Sequence, residues 1–217
     1  MKEGIILMSD TKDLVDEHLL LREMFELGLE TYHIRKPKYS TQQLREYIER
    51  IDKKYRNRVV IHHHHELCVP LKLKGIHMTE RHRKKKYFKS WIMLQWIKFR
   101  RPEVSISASY HSPNSLLKGN PGYTYVFLSP IFDSISKIGY KNTFSDFTLR
   151  EALQKTSMNV FALGGVEYDK LDAVKNYGFK GCALVGSVWS HKEPVEEFKR
   201  VMAKWKELQN SVSVSPV

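Results

Sequence analysis

"NVFALGGVEYDKLDAVKNYGFKGCALVGS", residues 159–187, carries the topology of the whole chain. A short apolar run, "VFAL", ends in two glycines; residues 168–177 read as a helix; a second apolar run, "CALV", then ends at Gly186 and Ser187. Two short strands joined through a crossover helix imply parallel pairing, because the crossover returns the chain to the same edge before the second strand begins.

The same unit recurs almost throughout. "GIILMS" (4–9) precedes residues 14–27, which carry apolar residues at helical spacing and are closed by Gly28 as a C-cap. "TYHIRK" precedes a helix over residues 41–55, "RVVIHH" a short helix near Leu67, and "KGIHM" a basic helix around Trp91. "VSISAS" leads to a helical turn after Ser112, "YTYVFLS" to a long loop and a helix over residues 149–155, and "GCALVGS" to a helix over residues 194–208. Eight such units close into a (β/α)8 barrel, and 217 residues with 41% hydrophobic content suit one core of that size. The expected fold is therefore a single α/β TIM barrel over residues 1–210, with a tail at 211–217.

No stretch reaches the ~18 apolar residues of a membrane span. The apolar run in "MKEGIILMSDTKD" is too short for a secretory signal, so the expected location is cytoplasmic. Cys68 and Cys182 lack C-x-x-C spacing and adjoin apolar runs, which suits reduced thiols in a core. The 36 Lys and Arg against 24 Asp and Glu give a formal +12, which favours anionic partners. Much of that excess lies in "RHRKKKYFK" and "KFRR" around "SWIMLQWI", read as a helix with solvated basic ends. No docking motif accompanies it, so a nucleic-acid-binding or scaffold role ranks behind small phosphorylated ligands.

Barrel active sites lie at the C-terminal ends of the strands. Those positions hold Arg35 and Lys36, His62 to His65, His77, Ser107, Ser109 and His111, "SPIFDSISK" (129–137), Gly164 and Gly165, and Gly186 and Ser187. Basic, hydroxyl and glycine residues dominate there, with Glu66, Glu80 and Asp133 as the exceptional carboxylates. Such a rim suits phosphate. "ALGGV" and "LVGS" place glycines at helix N-termini, where backbone amides can approach an anion closely. In "SPIFDSISK", Ser134, Ser136 and Lys137 alternate two hydroxyls and add a cation, a spacing that suits a diphosphate.

These segments resemble the thiamine phosphate synthase and thiazole tautomerase superfamily nearly end to end. The family's "G-P-[IV]-[FY]-x-T-x-T-K" is similar to "SPIFDSISK", its "A-I-G-G-I" to "ALGGV", and its "G-V-S-x-H" to "SASYH" (107–111). Its "A-D-G-[IV]-H-[IL]-G-Q-E-D" is similar to "LKGIHMTERH", and its "Q-x-R-x-K" to "HIRKP" (33–37). The resemblance implies a transferase of thiamine biosynthesis that joins hydroxymethylpyrimidine diphosphate to thiazole phosphate, giving thiamine phosphate and diphosphate. It implies catalytic roles for Arg35, Ser109 and Lys137. Ser134, Ser136, Gly165, Val185, Gly186 and Ser187 would bind the phosphate groups, with Lys36 and His62 beside them.

The family's strand-three end, "[VI]-N-D-[RD]-x-[ED]-L-A", falls on "IHHHHELC", which puts His62 at the Asn position and His63 at the first magnesium-binding Asp. The second such Asp falls on His82. The family's Mg²⁺ thus meets imidazoles here, which suit softer metals; another divalent metal, or none, is the alternative. Consecutive histidines cannot all face one site, so one or two of the four are expected to point inward. Pro37 stands at the strand-two lysine, between Lys36 and Lys38, and Pro130 at the catalytic histidine of the tautomerases. A tautomerase-like activity and a non-catalytic phosphate-ligand-binding paralogue are the other readings. The partners implied are phosphorylated pyrimidines and thiazoles, with no membrane; a homo-oligomer, and closure of residues 142–147 as a lid, stay open.

Overall fold

The computed structural model describes residues 3–80, 82, 88–133 and 144–212. Eight parallel strands pair in sequence order and β1 pairs with β8, closing the barrel that the recurring unit predicts. The strands are β1 (Gly4–Met8), β2 (Tyr32–Ile34), β3 (Val59–Ile61), β4 (Gly75–Met78), β5 (Ser105–Tyr110), β6 (Tyr125–Leu128), β7 (Val160–Leu163) and β8 (Gly181–Leu184). Around them lie α1 (Glu17–Glu26), α2 (Thr41–Glu49), α3 (Phe88–Arg100), α4 (Pro113–Leu117), α5 (Asp146–Lys155), α6 (Leu171–Tyr177), α7 (Gly186–Trp189) and α8 (Pro194–Val212). The last helix runs two residues past position 210, and residues 213–217 lie outside the described ones.

Alternation along each strand sorts the core into two bodies. Outward-facing Leu7, Tyr32, Ile34, Ile61, Ile76, Val126, Ala162 and Leu184 pack beneath the helices. Inward-facing Ile6, Met8, Tyr125, Phe127, Phe161 and Ala183 fill one side of the lumen. A barrel of eight strands is just wide enough for side chains to fill it. The other side of the lumen is polar: His33, His62, His77 and Ser107 are all buried.

The helix ends follow local chemistry. Gly28 adopts φ +102° after α1, and Leu29 N–H donates to the Met24 carbonyl at 3.0 Å, the left-handed cap that glycine provides without steric cost. Ser40 and Gln43 form a reciprocal capping box at the start of α2. The helix expected over residues 41–55 is shorter, ending at Glu49. Arg56 folds back to donate to the carbonyls of Glu49 at 2.8 Å and Ile51 at 3.0 Å, and residues Lys53–Arg58 form a 3₁₀ helix instead. Tyr55 thereby reaches the core and stacks on Phe25 at 4.8 Å between ring centroids.

Both cysteines are buried and unpaired, as expected; burial pushes Cys68 up to about 11 and raises Cys182 as well. Among the described residues no helix is long and apolar enough to cross a membrane.

Candidate functional site

The polar side of the lumen is built by three adjacent strands. His33 sits in β2 between outward-facing Tyr32 and Ile34, His77 sits in β4, and His62 follows β3 directly, its amide donating to the Ile34 carbonyl at 3.2 Å. Their rings converge. His33 Nδ1 lies 3.0 Å from His62 Nε2, and His33 Nε2 lies 2.5 Å from the Tyr125 hydroxyl. The rings of His62 and His77 stack with centroids 4.2 Å apart. His77 Nδ1 lies 2.9 Å from Ser107 Oγ, and its Nε2 lies 3.2 Å from Ser109 Oγ.

Burial penalises the charged form of each ring that sits inside. It pushes His33 down to about 3, with the Lys74 charge adding to the effect. It holds His62 well below the usual range, reinforced by His77, His33 and Arg35. At neutral pH these two rings are therefore neutral imidazoles, each offering one N–H and one lone pair. Burial likewise raises the Tyr125 hydroxyl, which stays protonated.

The four consecutive histidines divide as the sequence predicts. His62 alone joins the lumen cluster. His63 pairs edge-on with His82, ring centroids 6.2 Å apart, and His65 lies 4.8 Å from the same ring. His64 turns outward through a left-handed backbone, φ 53°, where its Nε2–H donates to the Tyr39 carbonyl at 2.8 Å and its Nδ1 lies 2.8 Å from Thr41 Oγ1. His65 Nε2 is buried without a hydrogen-bond partner.

Arg35 is exposed at the rim, its amide tied to Ser9 Oγ at 2.8 Å, and its charge is felt by His62. Lys36, expected beside the phosphate groups, is instead occupied on the outer side of the barrel. Its ammonium is fully buried 2.9 Å from Glu17 and 3.3 Å from Asp13, because Glu17 on α1 offers the only carboxylate that is itself buried there among the described residues.

Gly165 at the end of β7 has φ +66°, and a Cβ there would lie 2.5 Å from the Asp133 carbonyl oxygen and 2.6 Å from that of Phe132. Glycine lets β7 close onto the start of the strand-six loop. Gly165→Val is therefore expected to lower stability by about 1–3 kcal/mol through backbone strain, before any effect on ligand binding; thermal denaturation without ligand checks this, and an unchanged Tm would show that residues 132–133 give way. On the neighbouring strand end, Val185, Gly186 and Ser187 open α7, and Ser187 Oγ is buried with no hydrogen-bond partner. Ser134, Ser136 and Lys137 lie outside the described residues, as do Asn142 and Thr143 of the lid segment.

His33 and Tyr125 are the members of this site that reading the sequence did not select. The signal at His33 was a polar residue between two outward apolar ones, and at Tyr125 a hydroxyl at the start of an apolar strand, both readable only once strand register is known. His77 and Ser107 were placed at strand ends, and the structure joins them to His33 and His62.

The family model described as "Thiamine monophosphate synthase" matches residues 5–188. The thiamine-phosphate synthase of Caldivirga maquilingensis is 30% identical over 112 residues, 51% of this chain and 54% of that protein. The thiamine-phosphate synthase of Prochlorococcus marinus is 29% identical over 102 residues, 46% of this chain and 29% of that protein. The sequence match thus takes in about half or less of the length of these relatives. Over the whole chain, the thiamine phosphate pyrophosphorylase structure from Bacteroides thetaiotaomicron is 28% identical, with a TM-score of 0.74 and coverage of 97% of this chain and 98% of that one. The corresponding structure from Pyrococcus furiosus, 16% identical with a TM-score of 0.73, shares the fold.

Proposed function

Because the chain belongs to the thiamine monophosphate synthase family, we propose that it joins hydroxymethylpyrimidine diphosphate to a thiazole phosphate, releasing diphosphate and thiamine phosphate. The observation that carries this reading is the buried, unpartnered Ser187 hydroxyl in the Gly186–Ser187 turn. A buried hydroxyl without a partner costs stability unless a ligand supplies one. A phosphate oxygen is suited to do so, since it would also take the amides that open α7.

In this reaction the bond between the pyrimidine methylene carbon and the diphosphate oxygen breaks, and the thiazole nitrogen donates its pair to the carbocation left behind. Charge stabilisation and positioning do most of the work. Arg35 at the rim, with Lys137, Ser134 and Ser136, would hold the departing diphosphate. Ser109 would face the pyrimidine or the diphosphate through its hydroxyl. Gly165, Val185, Gly186 and Ser187 would hold the thiazole phosphate.

The family's magnesium does not fit the donors present. His63 and His82 replace both carboxylates, and neutral imidazole gives a hard, strongly hydrated ion neither charge nor oxygen. The diphosphate charge therefore falls to Arg35, Lys137 and the backbone amides. The tautomerase reading would need an acid-base histidine where Pro130 stands. Two buried, unpaired thiols suit a reducing compartment and so a cytoplasmic enzyme.

The test is formation of thiamine phosphate from the two phosphorylated substrates by the purified chain. Lys137→Ala should reduce kcat/KM roughly 10- to 150-fold, the loss expected when a charged donor to phosphate worth about 1.5–3 kcal/mol is removed. Lys141→Ala, four residues on, should leave it near wild type. Equal effects would remove Lys137 from the site, and no product from the wild-type chain at any divalent metal would overturn the synthase reading.

A further inference from the structure

The lumen cluster is the strongest group of metal-ligating side chains among the described residues, and it lies apart from the family's magnesium positions. We propose that His33, His62 and His77 form a site for a borderline transition-metal dication, of the Zn²⁺ or Co²⁺ class, within the mouth of the barrel. One ring nitrogen from each residue lies within 4.8 Å of the others. His33 Nδ1 and His62 Nε2 are 3.0 Å apart. Four-coordinate zinc with Zn–N bonds of about 2.0–2.1 Å needs nitrogens separated by about 3.3–3.4 Å. The His33–His62 edge must open by a few tenths of an ångström, and the His62 and His77 rings, stacked with an interplanar angle of 23°, must swing apart about their side-chain torsions so that both lone pairs meet one ion.

The surroundings fit such a site. A metal-bound imidazole usually has its second nitrogen held by an outer partner that sets ring orientation. With His33 bound through Nδ1, its Nε2 already meets the Tyr125 hydroxyl at 2.5 Å; with His77 bound through Nε2, its Nδ1 already meets Ser107 Oγ at 2.9 Å. The three nitrogens carry no carboxylate among them, and imidazole donors suit Zn, Co, Ni and Cu and reject Mg and Ca. Exposure places the opening: His33 is 0% exposed, while His62 and His77 retain 4% and 3%. The fourth coordination position therefore faces the rim that carries Arg35 and Ser109, where an anionic oxygen would offset the charge of the ion. His63 and His82 belong to a separate ring cluster outside the trio.

This site does not depend on the synthase reading, and its test does not use turnover. The full chain, stripped with a chelator and dialysed, is titrated with Co²⁺ and followed by visible absorption. The expected result is a single high-affinity equivalent with the intense d–d bands of a four-coordinate ion, displaced by Zn²⁺ and untouched by Mg²⁺, together with a rise in Tm on adding Zn²⁺. His62→Asn should weaken cobalt binding by at least roughly 100-fold, above the loss expected for an outer partner. The double variant His63→Ala with His82→Ala should keep the spectrum. If His62→Asn does not fold, His77→Gln gives the same readout. A wild-type titration without four-coordinate bands overturns the proposal. So does a spectrum lost in the His63/His82 variant and kept in His62→Asn, which would move the ion to the other cluster.

Discussion

Lowering the pH of the metal-free protein from 7 to 5 is expected to cost on the order of 4 kcal/mol of folding stability. His33 and His65 are each pushed down to about 3, chiefly by burial, against 6.5 for an ordinary histidine. The folded state therefore keeps both rings neutral, while the unfolded chain takes up their protons as pH falls below ~6.5. The state that binds more protons gains on acidification, so stability is complete above ~6.5 and drains away as pH falls toward 3. At pH 5 each ring contributes about 2 kcal/mol of loss, from 1.36 kcal/mol per pH unit. His62 shifts the same way and adds to the effect. A domain's whole stability is about 5–15 kcal/mol, so the change should be plain in urea midpoints. His33→Gln, which removes one titrating ring and keeps an amide at the position, should remove about 2 kcal/mol of that loss. Equal midpoints at pH 7 and pH 5 in the wild type would show that water reaches these rings and lets them charge in place.

Glu17→Leu is expected to destabilise the barrel by about 3–5 kcal/mol, the cost of leaving a buried charge without its partner. Glu17 lies on α1, 3% exposed, and accepts hydrogen bonds from Lys36 Nζ at 2.9 Å and the Tyr32 hydroxyl at 3.0 Å. Tyr32 in turn meets the Tyr47 hydroxyl at 2.8 Å, so one network ties α1 to β2 and α2. Burial, with the charge of Glu17, raises both phenols. With Glu17 gone, Lys36 keeps the Lys12 carbonyl and Asp13, whose side chain is 70% exposed and holds the ion weakly. Lys36→Met added to Glu17→Leu should recover most of the loss, because two apolar groups of similar volume need no partner. Urea unfolding of the two single variants and the double variant measures this. A double variant no more stable than Glu17→Leu would mean that packing around the carboxylate, and not its charge, is what matters.

The site was legible in the sequence where a residue's local role carries its meaning. Gly164–Gly165 and Gly186–Ser187 follow short apolar runs, and glycine at a strand end signals a close approach wherever the strand lies; the φ of +66° at Gly165 and its packing on residues 132–133 agree with that. The four histidines told less. Their division into one inward ring, His62, and three others followed from the turn after β3, and the partner of each ring came from another strand or helix. Lys36 was the most misleading position: between Arg35 and Pro37 it reads as a rim cation, yet a carboxylate 19 residues earlier in the chain takes it out of the site. The early end of α2 has the same origin, since Arg56 caps carbonyls five and seven residues back.

Taken alone, the amino-acid sequence determined the eight strand-helix units, their parallel pairing, the glycine turns after β7 and β8, and the loss of both family carboxylates. Those properties are periodic or local, so each residue carries its own evidence. Tertiary structure was needed to bring His33, His62, His77, Ser107 and Tyr125 together and to hand Lys36 to Glu17. Barrel closure brings those five residues, from five successive strands or their ends, together in a single lumen, and burial there sets the protonation of His33, His62 and Tyr125. The physical reason is that dielectric and neighbours belong to a place in the fold, which no single segment of chain contains.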